Sequence, residues 1–188
     1  MSHARTFLDE TARIAAALDA DKVEEMARCL HVSRRLFVIG LGGSAANASH
    51  AVNDFRKLCG IDAHCPTDNV AELTAWANDA SWESMFTRWF EGRNIQQTDA
   101  VLVLSVGGGT DEVSTPITAA VKAACRLGAC VLGIVGRDGG ATKAHGHCVI
   151  VIPTVEPSRV TPHAEAFQSV ILHALVSHPL LQRNATKW

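Results

Sequence analysis

His50 and Asp54 lie four residues apart in a stretch that reads as helix, a spacing that puts an imidazole and a carboxylate on one face. Such a pair can hold one divalent metal ion or act as an acid–base couple. Near the other end of the chain, Glu165 and His173 lie eight residues apart on a second helical stretch. At ~1.5 Å per residue they stand roughly 12 Å apart along the axis, too far to share an ion without help. Either they approach it from opposite sides, or one of them serves a site in a neighbouring subunit.

Two glycine-rich turns offer a different chemistry, the binding of an anion. Leu36-Phe37-Val38-Ile39-Gly40 runs into Leu41-Gly42-Gly43-Ser44 and then a helical stretch over 45–58. Val101-Leu102-Val103-Leu104-Ser105 runs into Val106-Gly107-Gly108-Gly109-Thr110 and then a helical stretch over 111–127. A strand that turns directly into a helix leaves N–H groups unpaired at the helix N-terminus, where the dipole favours negative charge. The second turn is the better candidate. Ser105 and Thr110 add hydroxyls, and residues 107–110 present N–H groups with little side-chain bulk. It is not a Walker A loop, since no Gly-Lys-Ser/Thr follows, and the glycine spacing differs from the dinucleotide fingerprint. Two such turns point to a sugar phosphate or nucleotide at the carboxyl ends of parallel strands.

The elements that must carry these residues alternate between helix and strand. Residues 4–30 read as one long helix, with Phe7, Leu8, Ile14, Leu18, Val23, Met26 and Leu30 at helical spacings. Strands are expected over 36–40, 100–105, 130–135 and 148–152, with a short one in 60–66 stopped by Pro66. Helices are expected over 69–78, 82–91, 111–127 and 163–177, and Ser44 is a candidate N-cap. The strands are continuous apolar runs, the mark of a parallel sheet covered on both faces. The expected architecture is a three-layer α/β sandwich with a parallel sheet of about five strands. With no repeat and no linker, residues 1–188 read as one domain.

Composition narrows the function class. Hydrophobic residues make up 47% of the 188, and the net charge is -2. This balance implies a packed core and provides no electrostatic footprint for nucleic acid or an anionic membrane. No apolar run is long enough to span a bilayer and no signal peptide is read, so a cytoplasmic protein is expected. The six cysteines form no Cys-x-x-Cys pair and several sit in apolar stretches, which reads as buried reduced thiols. His145 and His147 read as loop residues.

Several segments together, in order and spacing, resemble a known family. They are Gly40–Ser44, His50 with Asp54, Thr67-Asp68-Asn69, Ala77-Asn78-Asp79, Phe86-Thr87-Arg88, Ser105–Thr110, Gly136-Arg137-Asp138-Gly139-Gly140, and Leu172-His173-Ala174-Leu175. The chain resembles a sugar isomerase (SIS) domain of the phosphoheptose isomerase kind. The resemblance implies a homotetramer that converts sedoheptulose 7-phosphate to D-glycero-D-manno-heptose 7-phosphate, with residues 4–30 as an oligomerisation helix.

The resemblance also implies roles for particular residues. The family's zinc ligands, His and Glu four apart and Gln and His eight apart, fall on His50, Asp54, Glu165 and His173. Asp54 or Glu165 would take the C2 proton on the way to an enediol, and His173 would move protons at O1 and O2. The family's phosphate loop, Ser-Thr-Ser-Gly-Asn-Ser, falls on Ser105, Val106, Gly107, Gly108, Gly109 and Thr110, so two hydroxyls and an amide are gone. Leu41 replaces a substrate-contacting Asn, while Ser44 is kept and, with Gly42, Gly43 and Asp79, would hold sugar hydroxyls. The same family includes a non-catalytic branch that associates with a replication initiator. Ser44–Ala48 and Thr67–Val70 are similar to it, which leaves a sugar-phosphate-binding or protein-binding module as the alternative. His173, absent from that branch, favours the enzyme.

Overall fold

Five strands form one parallel sheet in the order β2-β1-β3-β4-β5. They are β1 Arg35–Gly40, β2 Asp62–His64, β3 Ala100–Ser105, β4 Cys130–Val135 and β5 Cys148–Val151. The computed structural model describes residues 2–186. Helices precede, join and follow the strands: α1 His3–Ala17, α2 Ala20–Val32, α3 Gly43–Asp54, α4 Val70–Asp79, α5 Met85–Arg93, α6 Thr115–Arg126, α7 Gly140–His145 and α8 Val160–Val176.

The period of two along each strand divides the core. Leu36 and Val38 of β1 and Leu102 and Leu104 of β3 face the layer that includes Met26, Phe55, Phe167 and Leu172. Phe37 and Ile39, with Val101 and Val103, face Phe86, Trp89, Phe90, Ile117 and Val121 on the other side. This explains why the strands read as unbroken apolar runs. The expected three-layer α/β sandwich is the observed one.

Strand order reverses between β1 and β3, because the chain first goes outward to β2 and then returns. At such a switch point the loops leaving the two strands turn to opposite faces and open a crevice at the strands' carboxyl ends. Here those loops are the two glycine-rich turns.

Several boundaries differ from expectation, each for a local reason. The 4–30 stretch is two helices. Leu18 and Asp19 are extended, and the Asp19 carboxylate accepts from Lys22 N at 3.2 Å to cap the second. The helix over 45–58 stays α-helical only to Asp54. It continues as a π turn over Phe55–Cys59, closed by Gly60 at φ 65°. Helix α5 starts at Met85 because Ser81 Oγ accepts from Ser84 N and holds a turn before it. Helix α6 starts at Thr115 because the Thr110 hydroxyl accepts from Glu112 N and Val113 N, which keeps 110–113 in a loop.

Candidate active site

Helix α3 begins at Gly43 with Gly42 as its N-cap, at φ 61° and ψ -130°. That backbone geometry suits glycine, and it places Ser44 inside the first turn rather than at the cap. Ser44 is buried, and its hydroxyl accepts from Gln168 Nε2 at 3.0 Å. Asn47, one turn further on, donates from Nδ2 to Gln168 Oε1 and to the Glu165 carbonyl, both at 2.9 Å. Ser169 Oγ donates to Asn47 Oδ1 at 3.1 Å. These bonds fix α3 against α8 in rotation and register. Sequence reading passed over Asn47, Gln168 and Ser169. The available signal was three polar side chains on faces otherwise made of Ala, Val, Phe and Ile.

Past this clamp the two helices bring three candidate residues together. His50 Nε2 and His173 Nε2 are 3.0 Å apart, with the rings edge-on at 90°. Asp54 Oδ2 lies 3.3 Å from His50 Nε2 and 3.7 Å from His173 Nε2. Asn53 Nδ2 donates to Asp54 Oδ1 at 2.9 Å, so one carboxylate oxygen is engaged and the other faces the imidazoles. The His50 and His173 side chains are 49% and 59% exposed, so the trio is open to a ligand. Two imidazole nitrogens and one carboxylate oxygen, all within 4.8 Å of one another, match the donor set of a divalent ion with an open position. These residues therefore fit zinc.

Glu165 does not join them. Its carboxylate lies against Gly43 at the start of α3, where a Cβ would collide with it. Among the described residues it makes no hydrogen bond or ion pair. The two acidic candidates thus separate: Asp54 is beside the histidines, Glu165 beside the first glycine turn. Because His50, Asp54 and His173 all come from one chain, no second subunit is needed to assemble this trio.

The cleft at the switch point measures about 770 Å³. Leu41, Ser44, Ser105, Val106, Gly107, Gly109 and Thr110 line it. Gly42, Gly43, Gly108 and Asp79 are not among its lining residues. Asp79 ends α4, exposed, with Oδ1 accepting from Asn78 Nδ2 at 2.8 Å. Gly108 is structural: it packs backbone to backbone on Gly139, and its carbonyl accepts from Thr142 N and Thr142 Oγ1 at 3.0 and 2.7 Å.

The donors of the second turn are fewer than its sequence implied. Gly108 N donates to Ser105 Oγ at 3.0 Å, and Thr110 N donates to Val113 O at 2.9 Å. The Thr110 hydroxyl donates to Val113 O at 3.3 Å while accepting the two N–H groups already named, so it is used up within its own loop. The N–H groups of Gly107 and Gly109 have no partner among the described residues, and the Ser105 hydroxyl keeps its hydrogen free. His50 lies six residues beyond Ser44 on α3, roughly 9 Å along the axis. On α3, therefore, Ser44 borders the cleft while His50 and Asp54 lie further along the same helix.

No protein-family model matches the chain. A phosphoheptose isomerase of Trichlorobacter lovleyi is 30% identical over 178 residues, covering 92% of this chain and 86% of the relative. The lincomycin biosynthesis protein LmbN of Streptomyces lincolnensis is 30% identical over 191 residues, covering 95% and 69%. Among solved structures, phosphoheptose isomerase GmhA of Neisseria gonorrhoeae superposes with a TM-score of 0.79 at 21% identity, over 92% of this chain and 95% of that one. By the extent and identity of these matches, the chain belongs to the phosphoheptose isomerase family.

Proposed function

We propose that this protein is an aldose–ketose isomerase that interconverts sedoheptulose 7-phosphate and D-glycero-D-manno-heptose 7-phosphate. The observation that carries this reading is the meeting of His50, Asp54 and His173 across α3 and α8 in a member of this family. Family membership and this trio both favour turnover over a non-catalytic module.

The chemistry needs a proton moved between two adjacent carbons. From the ketose, a base takes a proton from C1, the electron pair forms the C1–C2 double bond, and O2 gains a proton to give the enediol. Loss of the O1 proton then forms the aldehyde while C2 is protonated. The reverse reaction begins with loss of the C2 proton. The Asp54 carboxylate, beside the histidines, has Oδ2 turned to them and Oδ1, steadied by Asn53 Nδ2, with a lone pair left to carry the carbon-bound proton. His173 would exchange protons with O1 and O2 through Nδ1, the ring nitrogen not turned to His50 and Asp54. Glu165, directed at Gly43, is less well placed for this role. His50, Asp54 and His173 would hold zinc, which when bound supplies polarisation of the two oxygens.

The phosphoryl end falls in the cleft. The Ser105 hydroxyl and the Gly107 and Gly109 N–H groups are its available donors there, with Leu41 and Ser44 on the facing turn. Each neutral hydrogen bond missing from the thinned loop weakens phosphate binding by about 1 kcal/mol. We further propose a cytoplasmic homo-oligomer, a dimer of dimers. Its support is apolar surface on the terminal helices, where Leu8 and Val170 are 58% and 52% exposed. No helix among the described residues is long and apolar enough to cross a membrane.

Zinc-loaded protein incubated with sedoheptulose 7-phosphate tests the reading, with the aldose product followed by chromatography. Product formation that disappears in Asp54→Asn supports it. An unchanged substrate pool sinks it.

A further inference from the structure

Strand β4 ends at Val135, and the chain turns through Gly136, Arg137 and Asp138 toward α7. Arg137 sits in this turn at φ 52°, one of three non-glycine residues with positive φ among those described. The left-handed region costs an ordinary residue roughly 1 kcal/mol, and such strain persists where the surroundings hold it. Here the surroundings are the second glycine turn. Ala141 N donates to Gly109 O at 2.8 Å, and Gly140 packs so closely on Gly107 and Gly109 that a Cβ would strike their carbonyls.

The consequence is a basic side chain that leaves its backbone at the rim of the anion cradle. Arg137 lines the cleft, and its Cδ is 3.8 Å from the point where a Cβ on Gly107 would stand. It is the only basic residue among those lining the cleft. Among the described residues its guanidinium makes no ion pair and no hydrogen bond. The Asp138 carboxylate also borders the cleft, but it turns back on its own loop and accepts from Gly140 N at 3.2 Å. The free donors opposite are few and neutral: the Ser105 hydroxyl and two backbone N–H groups. An unpaired guanidinium on a side chain whose Cδ lies against Gly107, within reach of unbonded amides, suits a doubly charged oxyanion better than a neutral or singly charged group.

We propose that Arg137 is the charged ligand of the substrate's phosphoryl group, supplying by charge what the loop lacks in hydroxyls. The inference rests on the sugar-phosphate reading of the cleft and adds its main specificity determinant, a preference for a phosphate monoester over a sugar without phosphate. Neither turn alone accomplishes this. The 105–110 loop supplies direction through its amides, and the 136–140 turn supplies charge.

The test is calorimetric titration with inorganic phosphate, on the unsubstituted protein and on Arg137→Gly and Arg137→Lys. Arg137→Gly removes the guanidinium and also makes the positive φ easy, so a thermal midpoint at or above that of the unsubstituted protein shows an intact fold. Phosphate binding about ten- to hundred-fold weaker in Arg137→Gly, and partly restored in Arg137→Lys, supports the proposal. A parallel rise in KM for the sugar phosphate, with kcat changed much less, supports it also. Equal phosphate affinity in Arg137→Gly overturns it, as does a lack of phosphate binding by the unsubstituted protein. The two readings fail separately. Isomerisation with an unchanged KM in Arg137→Gly removes Arg137 alone, whereas Arg137-dependent phosphate binding without isomerisation removes the isomerase and leaves Arg137.

Discussion

His50 and His173, 123 residues apart in sequence, face each other Nε2 to Nε2 at 3.0 Å. With neutral rings, that contact requires one nitrogen to be protonated and the other bare. With both bare, the lone pairs are left to a shared cation, and Asp54 Oδ2 adds the third donor. Each of the three is therefore expected to matter for metal retention and Glu165 much less. His50→Ala, His173→Ala and Asp54→Ala are predicted to lower zinc affinity at least about ten-fold, while Glu165→Ala leaves it within a few-fold. Competition against a chromogenic chelator reads this without any activity assay. Equal losses in all four variants would mean that Glu165 swings over to the ion.

Two glycines separate by what stands in the way of a Cβ. At Gly43 the obstacle is the end of the Glu165 side chain, which can rotate away. At Gly108 it is the Gly139 backbone carbonyl, and φ is 72°. Gly43→Ala is predicted to destabilise by less than about 1 kcal/mol, and Gly108→Ala by about 2–4 kcal/mol from overpacking plus left-handed strain. Urea unfolding of both variants checks the ranking. A reversed order would show that Glu165 is held more firmly than its lack of partners implies.

What the sequence discloses here depends on how local each cause is. Continuous apolar runs such as Val101–Leu104 reveal buried parallel strands because two covered faces leave no room for alternation. The i, i+4 pair of His50 and Asp54 is legible for the same reason. The break at Leu18–Asp19 was also local, an N-capping Asp between two apolar stretches, but the spacing on either side masked it. The loss of Thr110 as a free hydroxyl follows from the shape of residues 110–113, which residue types alone do not determine. The meeting of His173 with Asp54, that of Glu165 with Gly43, and the clamp through Gln168 arise from one helix lying on another. No window of sequence contains both partners.

That clamp is the third place to probe. Gln168 is fully buried and ties Ser44 Oγ to Asn47 Nδ2, so it couples the start of α3 to the middle of α8. Gln168→Ala leaves a cavity and two polar groups short of a partner. The predicted loss is about 2–4 kcal/mol in chemical unfolding. If the clamp also sets the His50–His173 spacing, zinc affinity falls in the same variant although no ligand has changed. A stability loss with unaltered zinc binding would show that the π turn and the helix ends hold the histidines instead.

The most strongly perturbed carboxyl lies away from the proposed chemistry, where α1 meets the start of α8. Glu10 is only 5% exposed and takes two bonds from Arg159 and one contact from His163 Nε2 at 2.9 Å. The Arg159 guanidinium foremost, and then His163, hold its carboxyl down to about 2 from the ordinary 4.5. A carboxylate with a lowered folded-state pKa contributes stability that is complete above its unfolded-state value and fades as pH falls toward the folded one. Glu10 should therefore stabilise the fold fully above about pH 4.5 and lose that contribution between there and about pH 2. Glu10→Gln should be less stable at neutral pH and show a shallower decline across this acid window. The thermal midpoint of both proteins, followed from pH 6 downward by circular dichroism, checks the sign. Parallel curves would mean that Arg159 holds Glu10 no better than water does, and that Phe7, stacked on His163 at 4.3 Å, is what docks α1.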